Sequence, residues 1–364
     1  MSLHALSNHY LWLPDGPVTF RRAVLFGAGL LGSKVKALLE YYGVEVLAFV
    51  DNNEQLWGTQ KDGVPVLSPH DLSGYGDCRI IVSSMYFDSI FMQLRRMGFD
   101  TTIGRVCVRS NLAGAAEFRP WVYEKVRDEI DSILVGLADD ESRRVFSSLI
   151  HSIGKGDYGF LSLSTYPQYA HPQVRAKEGD RVIDVGAMNG DTSLMFADFV
   201  GDEGKVYAFE PSEENYPWMI EKLQASGIGQ RVAPVKMGLW DKRAELRFST
   251  EHSEPGCHQI TEHGESLIHV VSLDSFVEKE GLDRVSLIKS DVEGAEPQVL
   301  AGAAGTIREF RPKLQISIYH QVEHLWEIKQ QIDAIQPGYC YFVGQHSLKG
   351  TETVLYAVFS DLDE

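Results

Sequence analysis

Residues 181–193 read RVIDVGAMNGDTS, and this stretch decides the fold. The run Arg181-Val182-Ile183-Asp184-Val185 predicts a largely buried strand. Gly186 and Gly190 bracket a turn that also holds Met188 and Asn189, and Thr192 and Ser193 open a helix through Phe199. A strand, a glycine turn and a helix in that order put unpaired backbone N–H groups at a strand tip. That is where open α/β sheets bind ligands.

Outward from this turn, each following apolar run also ends on a residue with chemistry. Residues 205–209 form a strand ending at Glu210, whose two carboxylate oxygens can accept both hydroxyls of a ribose, and Pro211 stops the strand. Residues 232–237 run into Gly238-Leu239-Trp240-Asp241, which predicts an adenine wall from Leu239 and Trp240 with an acceptor at its edge. Asp184 sits at the strand tip beside the glycines, which suits a ligand carrying an amine, such as the methionine end of S-adenosylmethionine. Three strand ends thereby offer complementary pieces of one ligand.

Residues 285–291 predict a buried strand whose tip gathers Asp291, Glu293 and Glu296 with Lys289 behind them. Residues 313–319 form the next strand, ending at His320, and residues 339–343 and 354–359 alternate as an antiparallel terminal pair. An alcohol is a poor nucleophile while protonated, so a base near the reacting centre helps. Asp291 and His320 are the candidates, with Glu293 and Lys289 as orienting groups. Against this stands the ordinary use of strand-end carboxylates, which is to cap the following helix.

The motifs VIDVGAMNGDT (182–192), FEPS (209–212), VVSLDSF (270–276), LIKSDVEGAEPQVLAGA (287–303) and RPKLQISIYH (311–320) together resemble the FkbM family of S-adenosylmethionine-dependent methyltransferases. The resemblance covers residues 158–359. It implies a class I methyltransferase fold, a mainly parallel seven-stranded sheet with one reversed strand, and methyl transfer to a hydroxyl oxygen. It also implies that Asp184, Gly186 and Gly190 form the glycine-turn site, Glu210 the ribose contact and Asp291 the acid at the fourth strand tip. Residues 249–268 look like an insertion that shapes the acceptor pocket.

The N-terminal part carries a second glycine turn. Residues 23–26 are apolar, GAGLLG follows at 27–32, a helix-like segment runs over 31–42, and a strand over 44–50 ends at Asp51, where a dinucleotide fold puts its ribose-binding acid. The pattern stops near Arg109, so the expectation is a half-Rossmann α/β domain, with phrases FVDNN, DGVPVLSP and IIVSS similar to small domains that precede sugar-modifying enzymes. It either binds a nucleotide or nucleotide sugar, or serves packing or dimerisation, and the second reading leads; it would make the chain a homo-oligomer through this domain. The predicted division is residues 1–112, a helical connector over 113–157, and a methyltransferase domain over 158–364. In the connector Val122, Val126, Ile130, Ile133 and Leu134 recur at helical steps, and Asp139 to Ser142 offer a cap for a second helix.

Composition bounds the function. The chain has 364 residues, 44% hydrophobic and 23% charged, with net charge −17. The first 115 residues balance their charges, so the whole excess lies in the second part. Such acidity disfavours nonspecific binding to nucleic acid or anionic membrane. No apolar run approaches the ~20 residues that span a bilayer, and Cys78, Cys107, Cys257 and Cys340 form no Cys-x-x-Cys pair, so a cytoplasmic chain without stable membrane insertion is expected.

The leading function is an S-adenosylmethionine-dependent O-methyltransferase acting on a hydroxyl of a carbohydrate, glycolipid or related metabolite, so the partner is a small-molecule or carbohydrate acceptor. Rivals are an NAD-dependent nucleotide-sugar oxidoreductase or epimerase, weakened by the missing second mononucleotide half and Tyr-x-x-x-Lys pair, and a noncatalytic nucleotide-sensing module. Tyr158, Phe160, Tyr166 and Tyr169 are candidates to line the acceptor site, with core packing the competing use. Asp291, Glu293 and Glu296 offer oxygens to magnesium or calcium, and His252, His258, His263 and His269 invite zinc, but neither spacing is diagnostic, and His320 and His324 lack the Glu of a zinc-protease motif. The expectation is no metal.

Overall fold

The structure is a computed structural model that describes residues 20–41, 43–84, 86–99, 103–105, 127–155, 161–249, 259–260, 264, 266–348 and 351–360. Tyr158, Phe160, Val122, Val126, Cys107, Cys257, His252, His258 and His263 lie outside the described residues. The chain divides into two compact units, one of residues 1–127, 147–163 and 347–351, the other of residues 128–146, 164–346 and 352–364.

In the first unit, β1 (Arg22–Phe26), α1 (Leu30–Tyr41), β2 (Glu45–Val50), β3 (Gln60–Lys61), β4 (Val64–Leu67), β5 (Arg79–Val82), α2 (Phe87–Arg96) and β6 (Ile103–Arg105) build one sheet in the order β3-β4-β2-β1-β5-β6. All its pairings are parallel except β3 with β4. The sheet extends to both sides of β1, so the topological switch point lies at the tip of β1, at the Gly27 turn. Buried residues on both faces explain the continuous apolar runs: Ala23, Leu25 and Phe49 pack on one side, Val24, Phe26 and Ile80 on the other.

The second unit begins with α3 (Arg127–Gly136), and α4 (Asp140–Lys155), whose residues from 147 on count with the first unit, follows after the Asp139 cap, whose Oδ1 accepts from the Ser142 N–H at 2.7 Å. Next come β7 (Arg181–Val185), α5 (Asp191–Val200), β8 (Lys205–Phe209), α6 (Asn215–Ala225), β9 (Val232–Val235), β10 (Gly238–Leu239), β11 (Ala244–Ser249), β12 (Gln259–Ile260) and β13 (Ser266–Val271). After them lie α7 (Leu273–Glu280), β14 (Leu287–Ser290), α8 (Glu296–Gly302), α9 (Ala304–Phe310), β15 (Lys313–Ser317), α10 (His324–Ile335), β16 (Tyr339–Gln345) and β17 (Thr353–Phe359). Seven strands form the main sheet in the order β16-β17-β15-β14-β7-β8-β9. Only β17 runs against its neighbours β15 and β16, which is the class I methyltransferase arrangement with its reversed strand.

Phe196, Ala197 and Val200 of α5 pack on Val182, Val206 and Ala208, fixing the helix behind the glycine turn. Burying a side chain of Phe or Val size contributes about 1.5–3 kcal/mol. A second, four-stranded sheet, β10-β13-β11-β12, takes up the stretch expected as an insertion: its described residues supply β12 and the start of β13. His269 on β13 faces outward and lies 3.3 Å from Glu245.

Candidate active site

The Gly186 turn is fixed from three directions. The Gly186 and Ala187 N–H groups donate to the Phe209 carbonyl at 3.1 and 3.0 Å, and the Gly190 N–H donates to the Ala187 carbonyl at 2.8 Å. Gly186 has φ of +77°, and a Cβ there would stand 2.0 Å from the Asp291 carbonyl oxygen, so the tips of β7 and β14 meet at a contact that only glycine permits. Gly190, at φ +84°, begins α5. Asn189 turns inward on the chain: its Oδ1 accepts from the Asp191 N–H and its amide donates to the Asp191 carboxylate, an Asx turn at the helix start.

Asp184, expected at a ligand amine, meets partners of its own chain. It is fully buried; its Oδ2 accepts from the Thr192 and Ser193 hydroxyls at 2.8 and 2.6 Å, and its Oδ1 lies 3.0 Å from Lys289 Nζ. Lys289 is 1% exposed and also donates to the Gly186 carbonyl at 2.8 Å. The pair is internal: it ties the tips of β7 and β14 to the first turn of α5. Lys289 therefore orients the turn itself and stands behind Asp291.

Glu210 keeps the position its sequence predicts. It accepts from the Met188 N–H at 2.8 Å with one oxygen and from the Ser212 N–H at 2.9 Å with the other, and the Asn215 side chain adds a bond. A carboxylate has about four lone-pair sites, so roughly one remains, enough for a single ribose hydroxyl rather than both. Burial pushes Glu210 up to about 7 despite these donors. Of the two residues expected to wall the adenine, Leu239 is buried in β10, and Trp240, partly buried, packs against Phe248, Ile268 and Val270 of the small sheet.

The tip of β14 gathers the remaining candidates. Asp291 Oδ2 accepts from the Tyr169 hydroxyl at 2.9 Å and Oδ1 from the Tyr319 hydroxyl at 3.0 Å. Burial opposes its ionisation, but the Lys289 and His320 charges and the two phenols outweigh it and hold Asp291 below its ordinary value. Burial and the Asp291 charge push both phenols well up, so they stay donors. His320 is 5% exposed, with Nδ1 2.9 Å from Glu296 and Nε2 3.4 Å from Asp291 and 3.6 Å from Glu293. Burial lowers its pKa, yet the charges of Glu296, Glu293 and Asp291 outweigh that and raise it well above the ordinary value. Three carboxylates around one ring thus favour the imidazolium over the neutral imidazole.

Asp291, Glu293, Lys289 and His320 are thus brought together, as are Gly186, Asn189, Gly190 and Glu210 around the turn. Sequence reasoning missed Tyr319 as a partner of Asp291, although it adjoins His320, and missed Glu352, which accepts from Gln168 at 2.6 Å and whose carboxyl is pushed up by burial and the Asp291 charge. Tyr169, read as an acceptor-lining ring, uses its hydroxyl on Asp291. Tyr166 packs edge-on against His171 and Tyr356.

Residues 184–341 match the family described as methyltransferase FkbM domain, and residues 19–102 match the one described as C2185-like, N-terminal. Over 135 residues the chain is 28% identical to the hexuronic acid methyltransferase AglP of Haloferax volcanii, a match that takes in 36% of this chain. It covers 54% of that protein, so the chain spans about half the length of the curated relative it matches. Among solved structures it is similar to the methyltransferase FkbM from Methylobacillus flagellatus KT, with a TM-score of 0.70 at 20% identity, over 92% of this chain and 89% of that one. That likeness establishes the shared fold.

Proposed function

We propose, from the match of residues 184–341 to the methyltransferase FkbM domain, that the chain transfers a methyl group from S-adenosylmethionine to an oxygen of a carbohydrate, a hydroxyl of a uronic-acid-containing sugar being the favoured acceptor. The observation that carries this reading is the pair of acid-tipped strands flanking the Gly186 turn, with Glu210 on one side and Asp291 on the other. The residues fit the donor: Glu210 keeps acceptor capacity for a ribose hydroxyl, and the glycine turn leaves backbone without side chains beside it. When bound, S-adenosylmethionine supplies a methyl carbon activated by its sulfonium.

Asp291, kept ionised and held by Tyr169 and Tyr319, aims the acceptor hydroxyl. Its low basicity is sufficient because the alcohol proton becomes strongly acidic as the new carbon–oxygen bond forms, so transfer to the carboxylate comes late. Alignment and the exclusion of water supply most of the acceleration. We place the acceptor among small molecules rather than nucleic acids because of the net charge of −17, place the chain in the cytoplasm, and read the N-terminal unit as a packing or dimerisation module.

Incubation with tritiated-methyl donor and a panel of neutral sugars and uronic-acid glycosides tests this. Label in the uronic-acid glycosides that survives mild alkali supports a hydroxyl ether. Label released by mild alkali would mean a methyl ester of the sugar carboxylate, and no label in any sugar would overturn the carbohydrate reading.

A further inference from the structure

Around His320 the chain builds an arrangement that methyl transfer from a sulfonium does not require. The ring is 5% exposed, and among the described residues its Nε2 makes no hydrogen bond. What Nε2 faces is two acceptors: Asp291 Oδ1 at 3.4 Å and Glu293 Oε1 at 3.6 Å. Both distances exceed the usual 2.7–3.2 Å of an N–H···O bond. They are close to the ~3.0–3.4 Å that separates neighbouring ligand atoms bonded at about 2.1 Å to one metal ion in octahedral to tetrahedral geometry. Ligand atoms of Asp291, Glu296 and His320 all lie within 4.8 Å of one another.

The rest of the surroundings fits an ion. Glu296, fully buried, stands 2.9 Å from Nδ1, and neither ring nitrogen makes a hydrogen bond among the described residues, so carboxylates face both edges of the imidazole. Glu296 is held in turn by the Val292 N–H at 2.9 Å and lies 3.4 Å from His324. Tyr319 and Tyr169 orient Asp291 from behind. Glu293 has φ of +53° and is followed by Gly294 at +103°, a left-handed turn that brings the carboxylate back toward the ring at a cost a non-glycine residue rarely bears without use. The side chains of Asp291 and Glu293 are each 21% exposed, so an ion can enter from the solvent side.

We propose that His320, Asp291 and Glu296, whose ligand atoms lie together, bind a divalent cation of the manganese type, with Glu293 on the part-exposed side and water or an acceptor oxygen completing the coordination. One imidazole with two carboxylates suits manganese better than the softer metals that favour thiolates. This reverses the expectation of no metal, which followed from spacing. The fourth strand tip supplies the acids and the fifth the histidine, so no contiguous motif announces the set. Cation binding stands on this geometry alone. Only its use, holding an acceptor oxygen next to the methyl donor, rests on the functional reading above.

The test uses the full chain, stripped by chelation, titrated with Mn2+ in the absence of donor and acceptor and followed by electron paramagnetic resonance and calorimetry. One saturable ion per chain is expected, with nitrogen coupling in the pulsed spectrum from one imidazole. Glu293→Gln, at a part-exposed turn, is expected to weaken binding ~10-fold or more, and His320→Gln to abolish the nitrogen coupling. If His320→Gln does not fold, Asp291→Asn and Glu293→Gln carry the test between them. No saturable binding, binding without nitrogen coupling, or binding unchanged in both carboxylate variants overturns the proposal and leaves His320 as a buried imidazolium paired with Glu296. Methyl transfer that persists without metal would not restore it, and saturable binding would stand even if no sugar were methylated.

Discussion

The chain holds two glycine turns built to one plan, and they differ in what the neighbouring strand brings beside them. In the first unit Asp51, following β2, accepts from the Ala28 N–H of the Gly27 turn at 2.8 Å and from the Asn53 N–H at 2.9 Å. In the second, Glu210 following β8 accepts from the Met188 N–H and from the Ser212 N–H in the same relation. The acid after the second strand thus staples the turn in both. The difference lies at the strand on the other side. Beside the Gly27 turn, following β5, is Ser83, whose hydroxyl bonds the Phe26 and Gly27 carbonyls. Beside the Gly186 turn, β14 brings Lys289 and then Asp291. A glycine turn makes a crevice; what the neighbouring strand delivers to it makes a reactive site.

The comparison breaks most readily at Lys289. Lys289→Met leaves the Asp184 carboxylate buried and unpaired, which is expected to cost about 3–5 kcal/mol of unfolding free energy by denaturant titration. The double variant Lys289→Met with Asp184→Leu should recover most of that loss. If the single variant costs under ~1 kcal/mol, the pair does not hold the second turn together.

Glycine substitutions come next. Gly186→Ala combines a left-handed φ with a Cβ 2.0 Å from a backbone oxygen and should lose at least ~1–3 kcal/mol together with most donor binding. Its counterpart in the first turn, Gly27, has φ of +120° and a Cβ 2.6 Å from the Ser83 carbonyl oxygen, so Gly27→Ala should cost similar stability and leave donor binding in place, while Gly29→Ala meets no atom within 4 Å and should stay within ~0.5 kcal/mol of the parent. Loss of donor binding in a folded Gly27→Ala would remove the distinction drawn between the turns.

A smaller effect is a pH dependence. Because burial raises Glu210 to about 7 in the folded protein, above its ordinary 4.5, ionising it opposes folding: its stabilising contribution is complete below the unfolded value and fades as pH rises through about 7. Donor affinity moves the other way, since the ionised carboxylate is the better acceptor for a ribose hydroxyl. Calorimetric titrations from pH 6 to 8 should show tightening with rising pH in the parent and a flat profile in Glu210→Gln. A flat parent profile would separate Glu210 from the donor.

Strand tips were readable in the sequence because apolar runs end abruptly on Glu210, Asp291 and His320, and the motifs from Val182 to His320 pointed to the seven-stranded sheet. Pairings between strands were not readable. Asp184 and Lys289 are register partners on β7 and β14, and only that register turns a ligand-facing acid into a buried ion pair. Tyr319 finds Asp291, and His320 finds Glu296, across β14 and β15 in the same way. Trp240, expected in a binding wall, packs against a small sheet whose existence depends on pairing across residues 238–271.

The most direct measurement is a calorimetric titration of S-adenosylmethionine into the full chain, the Glu210→Ala variant and the Asp51→Ala variant, with folding of each checked by circular dichroism. A single donor site is expected, weakened ~10-fold or more by Glu210→Ala, about 1.4 kcal/mol, and unchanged by Asp51→Ala. Donor binding lost in Asp51→Ala and kept in Glu210→Ala would place the site at the first turn instead of at Gly186.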